Sequence, residues 1–327
     1  MRNILLLSAG RRVELIQAFQ SAFAEVSPLS KVIAADAQPL APGLYHADLA
    51  IILPKVSANN FRDELVKAIR EYEIDLVVPT IDPELPVLSH LREQLEDETG
   101  TRIMIAEPWV IDICNDKVLT QQHVTKNGLL APKIYEDSSL IESSQFPLIL
   151  KPRAGSSSIG VNIVNSLEEL NYLLPATQSP MIQQLVFGDE FTADCFSDFE
   201  GKVISIVPRL RIATRGGEIL KGRIVKDTDV IEAVRRLLES LPMPGHSTVQ
   251  CFKTKEGVEF IEVNPRFGGG APMSIAAGAD SCKRLVELLN GGVLEYDESY
   301  EDGLTFLRFD QSIVLKDNEL IQGKNLD

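Results

Sequence analysis

Five short apolar runs, spaced by stretches of helical periodicity, limit what the first third of this chain can become. "NILLLS" (3–8), "KVIAA" (31–35), "LAIIL" (49–53), "DLVVP" (75–79) and "RIMIA" (102–106) are continuous apolar segments of strand length. That is the pattern of parallel strands covered on both faces. Between them, Leu15, Phe19, Ala22 and Phe23 share one helical face, and Phe61, Leu65, Ala68, Ile69 and Tyr72 share another. Strand–helix alternation predicts an open α/β sheet with its loops gathered at the carboxyl ends of the strands.

The rhythm changes near residue 110. A helix is predicted through "NDKVLTQQHVTKNG" (115–128), stopped by Gly128 with Pro132 following. Strand-rich segments come next, interrupted by one amphipathic helix carrying Val230, Val234, Leu237, Leu238 and Leu241. This half reads as α+β. The last stretch, 296–327, has one apolar run, "LTFLRF", and a polar end expected to fray.

The net charge of −15 argues against a general nucleic-acid binder, which needs a basic surface. The four cysteines are scattered without metal or disulfide spacing, which fits reduced thiols in a cytoplasmic setting. The N-terminal apolar run is too short for a signal peptide, and no run elsewhere has the length to span a bilayer.

Four stretches carry chemistry. In "FIEVNPRFGGG" (260–270) a strand places Glu262, Asn264 and Arg266 at alternate positions before three glycines. Its predicted hairpin partner is "STVQCF" (247–252). A three-residue turn, Lys255–Gly257, with Gly257 left-handed would set Gln250 opposite Glu262. Gln250, Glu262 and Asn264 would then share one face and offer oxygen alone, a set that suits magnesium. A two- or four-residue loop would instead bring Val249 opposite Glu262. The plainer alternative is a solvated strand end closed by Pro265.

In "LILKPRAGSSSIGV" (148–161) a strand delivers Lys151 to a loop of small residues: Gly155, Ser156, Ser157, Ser158 and Gly160. Such a loop lets backbone N–H groups approach a polyphosphate. It is not a Walker A loop, because Val161 stands where that lysine must follow. "PMIQQLVFGDEF" (180–191) supplies an apolar slot and a carboxylate, which suit adenine and ribose but equally an ordinary strand and turn. "RLRIATRGGEILKGRIVK" (209–226) holds six cations against Glu218, which suits a bound phosphate or carboxylate, with most of the six solvated on a hairpin edge.

Taken in order, "NDK", "LILKPRAGSSSIGV", "QQLVFGDEF", "STVQCF" and "FIEVNPR" resemble the motif set of the ATP-grasp superfamily. The likeness is to a single synthetase unit of the carbamoyl-phosphate synthase large subunit and to related carboxylate–amine ligases, such as the pyrrolysine-pathway ligase. It runs over residues 1–292. It implies a Rossmann-like α/β domain (1–110), an ATP-grasp small lobe (111–186), a large lobe (187–295) and a C-terminal extension (296–327). "SAGRR" lacks GxGxxG, so no nicotinamide binding is implied.

The resemblance implies that Lys117 and Lys151 hold ATP phosphates beneath the 155–160 loop. Gln183, Gln184, Leu185 and Val186 would read adenine, and Glu190 would take the ribose. Gln250, Glu262 and Asn264 would hold Mg2+ (or Mn2+), and Arg266 would steady the transferring phosphoryl group. Lys221 and Arg223 are expected beside it as catalytic cations, with Arg11, Asp82, Glu84, Arg209, Arg211, Gly268 and Gly269 around the substrate. A helix entry at Pro83 is the competing reading of Glu84. The implied chemistry activates a carboxylate as an acyl phosphate for attack by an amine. Both substrates are small molecules, with no nucleic-acid or membrane partner, and a homodimer is expected. A phosphotransferase using the same ATP site and a non-catalytic nucleotide-binding regulator are the alternatives.

Overall fold

The computed structural model describes residues 2–155, 159–317 and 319–320. Ser156, Ser157 and Ser158, and residues 321–327 of the tail expected to fray, lie outside the described residues. All five apolar runs of the first third form strands: β1 (Asn3–Leu6), β2 (Val32–Asp36), β3 (Leu49–Ile52), β4 (Ile74–Val78) and β5 (Arg102–Ile103). They make a parallel sheet of order β3-β2-β1-β4-β5. Alternation along β1 sends Leu5 into one core and Ile4 and Leu6 into another, so both faces are covered. Helices α2 (Phe61–Glu71) and α3 (Glu84–Thr99) pack on the first face, and α1 (Val13–Val26) on the second.

The helix predicted over 115–128 forms as the second of two consecutive helices. α4 (Pro108–Asn115) ends at Asp116, which caps α5 (Lys117–Lys126) by accepting from the Val118 and Leu119 amides. A four-stranded antiparallel sheet of order β6-β9-β7-β8 follows. It uses β6 (Ile134–Tyr135), β7 (Leu148–Pro152), β8 (Asn162–Val164) and β9 (Pro180–Gln184), with α6 (Leu167–Leu173) on its core face.

The largest sheet is antiparallel: β10 (Asp189–Ser197), β11 (Val203–Arg215), β12 (Glu218–Ile224), β13 (Gly245–Lys253), β14 (Val258–Asn264) and β15 (Thr305–Leu307), in the order β14-β13-β10-β11-β12-β15. Residues 305–307 thus add an edge strand to this sheet. Period-two alternation divides it into two faces. Phe191, Ala193, Cys195, Val249, Cys251 and Val263 enter the core beneath α7 (Thr228–Ser240). On the other face lie Thr192, Asp194, Arg209, Thr248, Gln250, Glu262 and Asn264, and this face floors a cavity. Helices α8 (Ala271–Ala276) and α9 (Ser281–Leu289) then return to α1, where Cys282, Leu285 and Val286 share a core with Leu15, Phe19 and Phe23.

The β13–β14 hairpin reaches the expected Gln250–Glu262 pairing by an unexpected route. Lys253 pairs with Val258, so the loop has four residues, 254–257, not three. Gly257 has the expected positive φ, at 135°. A four-residue loop alone would have put Val249 opposite Glu262. Instead the register shifts between Gln250 and Cys251, with Ile261 as the extra residue on β14. That β-bulge restores Gln250 opposite Glu262 and Thr248 opposite Asn264. Among the described residues no helix is long and apolar enough to cross a membrane.

Candidate active site

A cavity of about 500 Å³ opens where the three sheets meet. The parallel sheet contributes loops at the carboxyl ends of its strands: Arg12 after β1, and Thr80 to Pro83 after β4. Such crevices are where open α/β sheets bind ligands. The two antiparallel sheets supply the facing walls.

At one end, Lys151 projects from β7 and Lys117 opens α5. Both are buried. Lys117 Nζ donates to the Gly155 carbonyl at 2.6 Å, tying the first turn of α5 to the start of the small-residue loop. Burial, then repulsion from Lys117, pushes the Lys151 ammonium down to about 8. A buried ammonium beside a second one is a site that gains from an anion. Gly155 and Gly160 both have positive φ, 108° and 75°, conformations that favour glycine. The three serines between them are outside the described residues.

Deeper in, Ile149, Leu185, Val186, Phe252 and Ile261 line an apolar slot. Gln183, 2% exposed, closes it, and its Nε2 has no partner among the described residues. An apolar stretch of lining with one waiting donor can take a heteroaromatic ring and one of its acceptors. Gln184 also lines it. Glu190 stands at the rim, with Arg211 Nε 2.8 Å from its carboxylate.

Across the floor, Gln250 and Glu262 are directly opposite each other, and Asn264 lies two residues further along the same face. Among the described residues there is no group of three His, Cys, Asp or Glu that could hold a metal. A cation here would therefore depend on amide oxygens plus one carboxylate. That small hard-oxygen set fits magnesium, which completes its coordination with water and phosphate oxygens.

Arg266 lies at the end of β14 and forms a two-pronged pair with Asp82. Its Nε donates to Oδ1 at 2.5 Å and its Nη2 to Oδ2 at 2.8 Å. The pair joins the end of β14 to the loop after β4. Arg209 and Arg211 also line the cavity, from β11, and so do Gly268, Gly269 and Gly270.

Four expected positions lie elsewhere. Arg11 is exposed and pairs with Asp310, because the turn into α1 directs Arg12 to the cavity instead. Glu84 is 2% exposed and accepts from the Thr80 and Ile81 amides, so the helix-entry reading holds: it is the first residue of α3 and its carboxylate braces the loop that leads into the helix. Lys221 and Arg223 are exposed on β12, opposite Leu307 and Thr305 of the edge strand, and take no part in the lining. They fit the solvated-edge reading of that hairpin. Sequence reasoning missed Arg12, Thr192, Thr248 and Phe252. For the last three the signal was available: each sits an even number of residues from a residue already placed on the cavity face.

Residues 4–104 match the family described as "PylC-like, N-terminal domain". Residues 177–310 match "ATP-grasp in the biosynthetic pathway with Ter operon". The chain is 22% identical over 294 residues to the 3-methyl-D-ornithine–L-lysine ligase of Methanosarcina mazei, covering 88% of this chain and 73% of that protein. It is 29% identical over 167 residues to the D-alanine–D-alanine ligase of Aquifex aeolicus, covering 46% of this chain and spanning only 57% of that relative. The solved L-amino acid ligase from Bacillus licheniformis superposes with a TM-score of 0.72 at 17% identity, covering 96% of this chain and 82% of that one. A parallel-sheet domain, a two-sheet clasp and the matches at both ends of the chain lead to one likeness: the chain resembles ATP-grasp ligases, with a PylC-like match over residues 4–104 and an ATP-grasp match over residues 177–310.

Proposed function

We propose that the chain is an ATP- and magnesium-dependent ligase that activates a small-molecule carboxylate as an acyl phosphate and joins it to an amine. The observation that carries this reading is the single cavity in which two buried lysines, an apolar slot and the Gln250–Glu262–Asn264 face converge. Lys117 and Lys151 would hold the phosphates, the slot the adenine, and Glu190 the ribose. Gln250, Glu262 and Asn264 would hold the magnesium ion, which when bound neutralises charge on the phosphates. Arg266 would lie against the transferring phosphoryl group. The fold would act by positioning and by charge, as in phosphoryl transfer generally.

The state of the cavity carboxylates favours a carboxylate acceptor over a hydroxyl. Asp82 is held by Arg266, Glu190 by Arg211, Glu218 lies 3.7 Å from Arg308, and Glu262 is the carboxylate given to the metal. A carboxylate so paired is a poor general base. A hydroxyl acceptor requires one, whereas a carboxylate is already ionised near neutral pH. The likeness to a synthetase unit of carbamoyl-phosphate synthase concerns the ATP site, and a stand-alone carboxylate–amine ligase is the preferred form. Cytoplasmic placement and a homodimer remain part of this proposal.

The test is an oxygen label. A carboxylate substrate carrying heavy oxygen should give labelled inorganic phosphate, ADP and an amide-type product. ADP with unlabelled phosphate, across all substrates that support turnover, overturns the ligase reading. A phosphate ester would identify a phosphotransferase, and nucleotide binding without turnover a regulator.

A further inference from the structure

We propose that the glycine loop 268–270 closes an anion subsite in which Arg12 and Arg209 receive a carboxylate other than the one that is phosphorylated. The inference deepens the ligase reading and rests on it for which substrate carries that group.

Arg209 is the buried half of the subsite. It is 2% exposed, yet lines the cavity. Its Nε and Nη2 each donate to Asp194 at 3.1 Å. Nη1 is buried and has no partner among the described residues. An unmet donor on a buried charged group is costly. A ligand oxygen reaching this wall of the cavity would meet it. The counter-ion is itself held in place. His246 Nε2 lies 3.8 Å from Asp194, its ring stacks on Phe267 at 4.5 Å, and its Nδ1 is 3.2 Å from Ser281 Oγ. Asp194 and His246 therefore act as positioning residues that fix the direction of the Arg209 fork.

Arg12 is the half contributed by the first domain. Its Nη2 donates to the Thr80 carbonyl at 3.2 Å. The loop runs between the two guanidiniums with no room to spare. A Cβ at Gly269 would lie 3.2 Å from Arg12 Nη1 and 3.3 Å from Glu218 Oε1. A Cβ at Gly270 would lie 2.4 Å from Arg209 Nη2. The φ of Gly270 is −95°, open to any residue, so space and not backbone conformation requires glycine there.

Charge selects the ligand. Asp194 offsets Arg209, and Glu218 stands beside Arg12. With the two arginines balanced by two carboxylates the set carries no surplus charge, which suits a monoanionic carboxylate better than a phosphate dianion. Arg266 is not counted in this set, because Asp82 holds its Nε and Nη2 and its remaining N–H groups are assigned to the phosphoryl group.

The experiment is calorimetric titration of the whole chain, saturated with magnesium and a non-hydrolysable ATP analogue. Three matched pairs serve as probes: glutarate and valerate, L-glutamate and 4-aminobutyrate, L-norvaline and butylamine. In at least one pair the member with the additional carboxylate should bind about tenfold tighter, the change expected of a charge-assisted hydrogen bond. That advantage should vanish in Arg12→Ala and in Gly270→Ala, which displaces the Arg209 head without removing its charge. Titration of the analogue into each variant shows that it is folded. No advantage in any pair, or an advantage that survives both variants, overturns the subsite. Tight binding of 3-phosphoglycerate alone overturns its assignment to a carboxylate. The two readings fail separately: unlabelled phosphate sinks the ligase, and unselective binding sinks the subsite.

Discussion

Lys151 shows how a single side chain couples burial to ligand affinity. Its folded-state pKa, about 8, lies below the ordinary value of 10.5 because burial and Lys117 both disfavour its charge. Between those values the unfolded chain holds a proton that the folded chain has released, so stability of the unliganded protein should rise with pH across this window. Nucleotide binding should run the other way: affinity for a magnesium–ATP analogue should fall as pH passes 8, where the ammonium is lost. Titrations at a series of pH values check the sign. Lys151→Ala should weaken the analogue by about tenfold or more while leaving a folded protein, a loss typical of a charge-assisted contact; unchanged affinity removes Lys151 from the site. Lys151 was legible because a strand and a small-residue loop announce it locally. Arg12 was not, since choosing it over Arg11 requires the rotation of the chain as it enters α1. Nor was the orientation of Arg209, which depends on Asp194 and His246 from two other strands.

At the scale of elements, the extra residue Ile261 decides which face Glu262 and Asn264 occupy. Without a bulge, a four-residue loop would turn both toward the core, because a slip of one residue inverts every side chain. The right face was expected from a three-residue turn that the chain does not form; the bulge supplies the missing step, and nothing local announces it, since Phe260 of the core has the same parity as Glu262. Glu262→Ala and Asn264→Ala should each reduce magnesium-dependent turnover much more than analogue affinity. Steady-state rates set beside calorimetry would decide it, and two fully active variants would remove this face from the chemistry. Asn264 is buried, not solvated. Its replacement should therefore also lower stability by about 1 kcal/mol, the middle of the range for single substitutions.

Over the whole molecule, the segment after β15 acts as a strap between units. Arg308 reaches Glu14 of α1 and Glu218 of β12, while Asp310 is shared by Arg11 and Arg215. Exposed pairs of this kind are individually weak, about 0–1 kcal/mol. Asp310→Asn should therefore shift the melting temperature by only a few degrees. Removing residues 305–310 should do more, because it uncovers the backbone edge of β12 as well. A raised apparent mass in light scattering is the expected result of that open edge, and a monodisperse product of unchanged mass would count against it. The α/β-plus-α+β architecture was readable from periodicity, but residues 296–327 read as an extension because a three-residue edge strand has too short a pattern to show its partner.

The junction of α1 with α9 has a consequence for how the chain is made. Leu15, Phe19 and Phe23 emerge from the ribosome early, but Cys282, Leu285 and Val286, which cover them, are translated some 260 residues later. At roughly 5–20 residues per second that interval is on the order of ten to fifty seconds. During it the first domain can close its parallel sheet and still carry a greasy stripe with no lid. A nascent chain in that condition is a natural client for a chaperone, and slowed translation beyond α7 should raise aggregation of this protein even though the finished fold is unaltered.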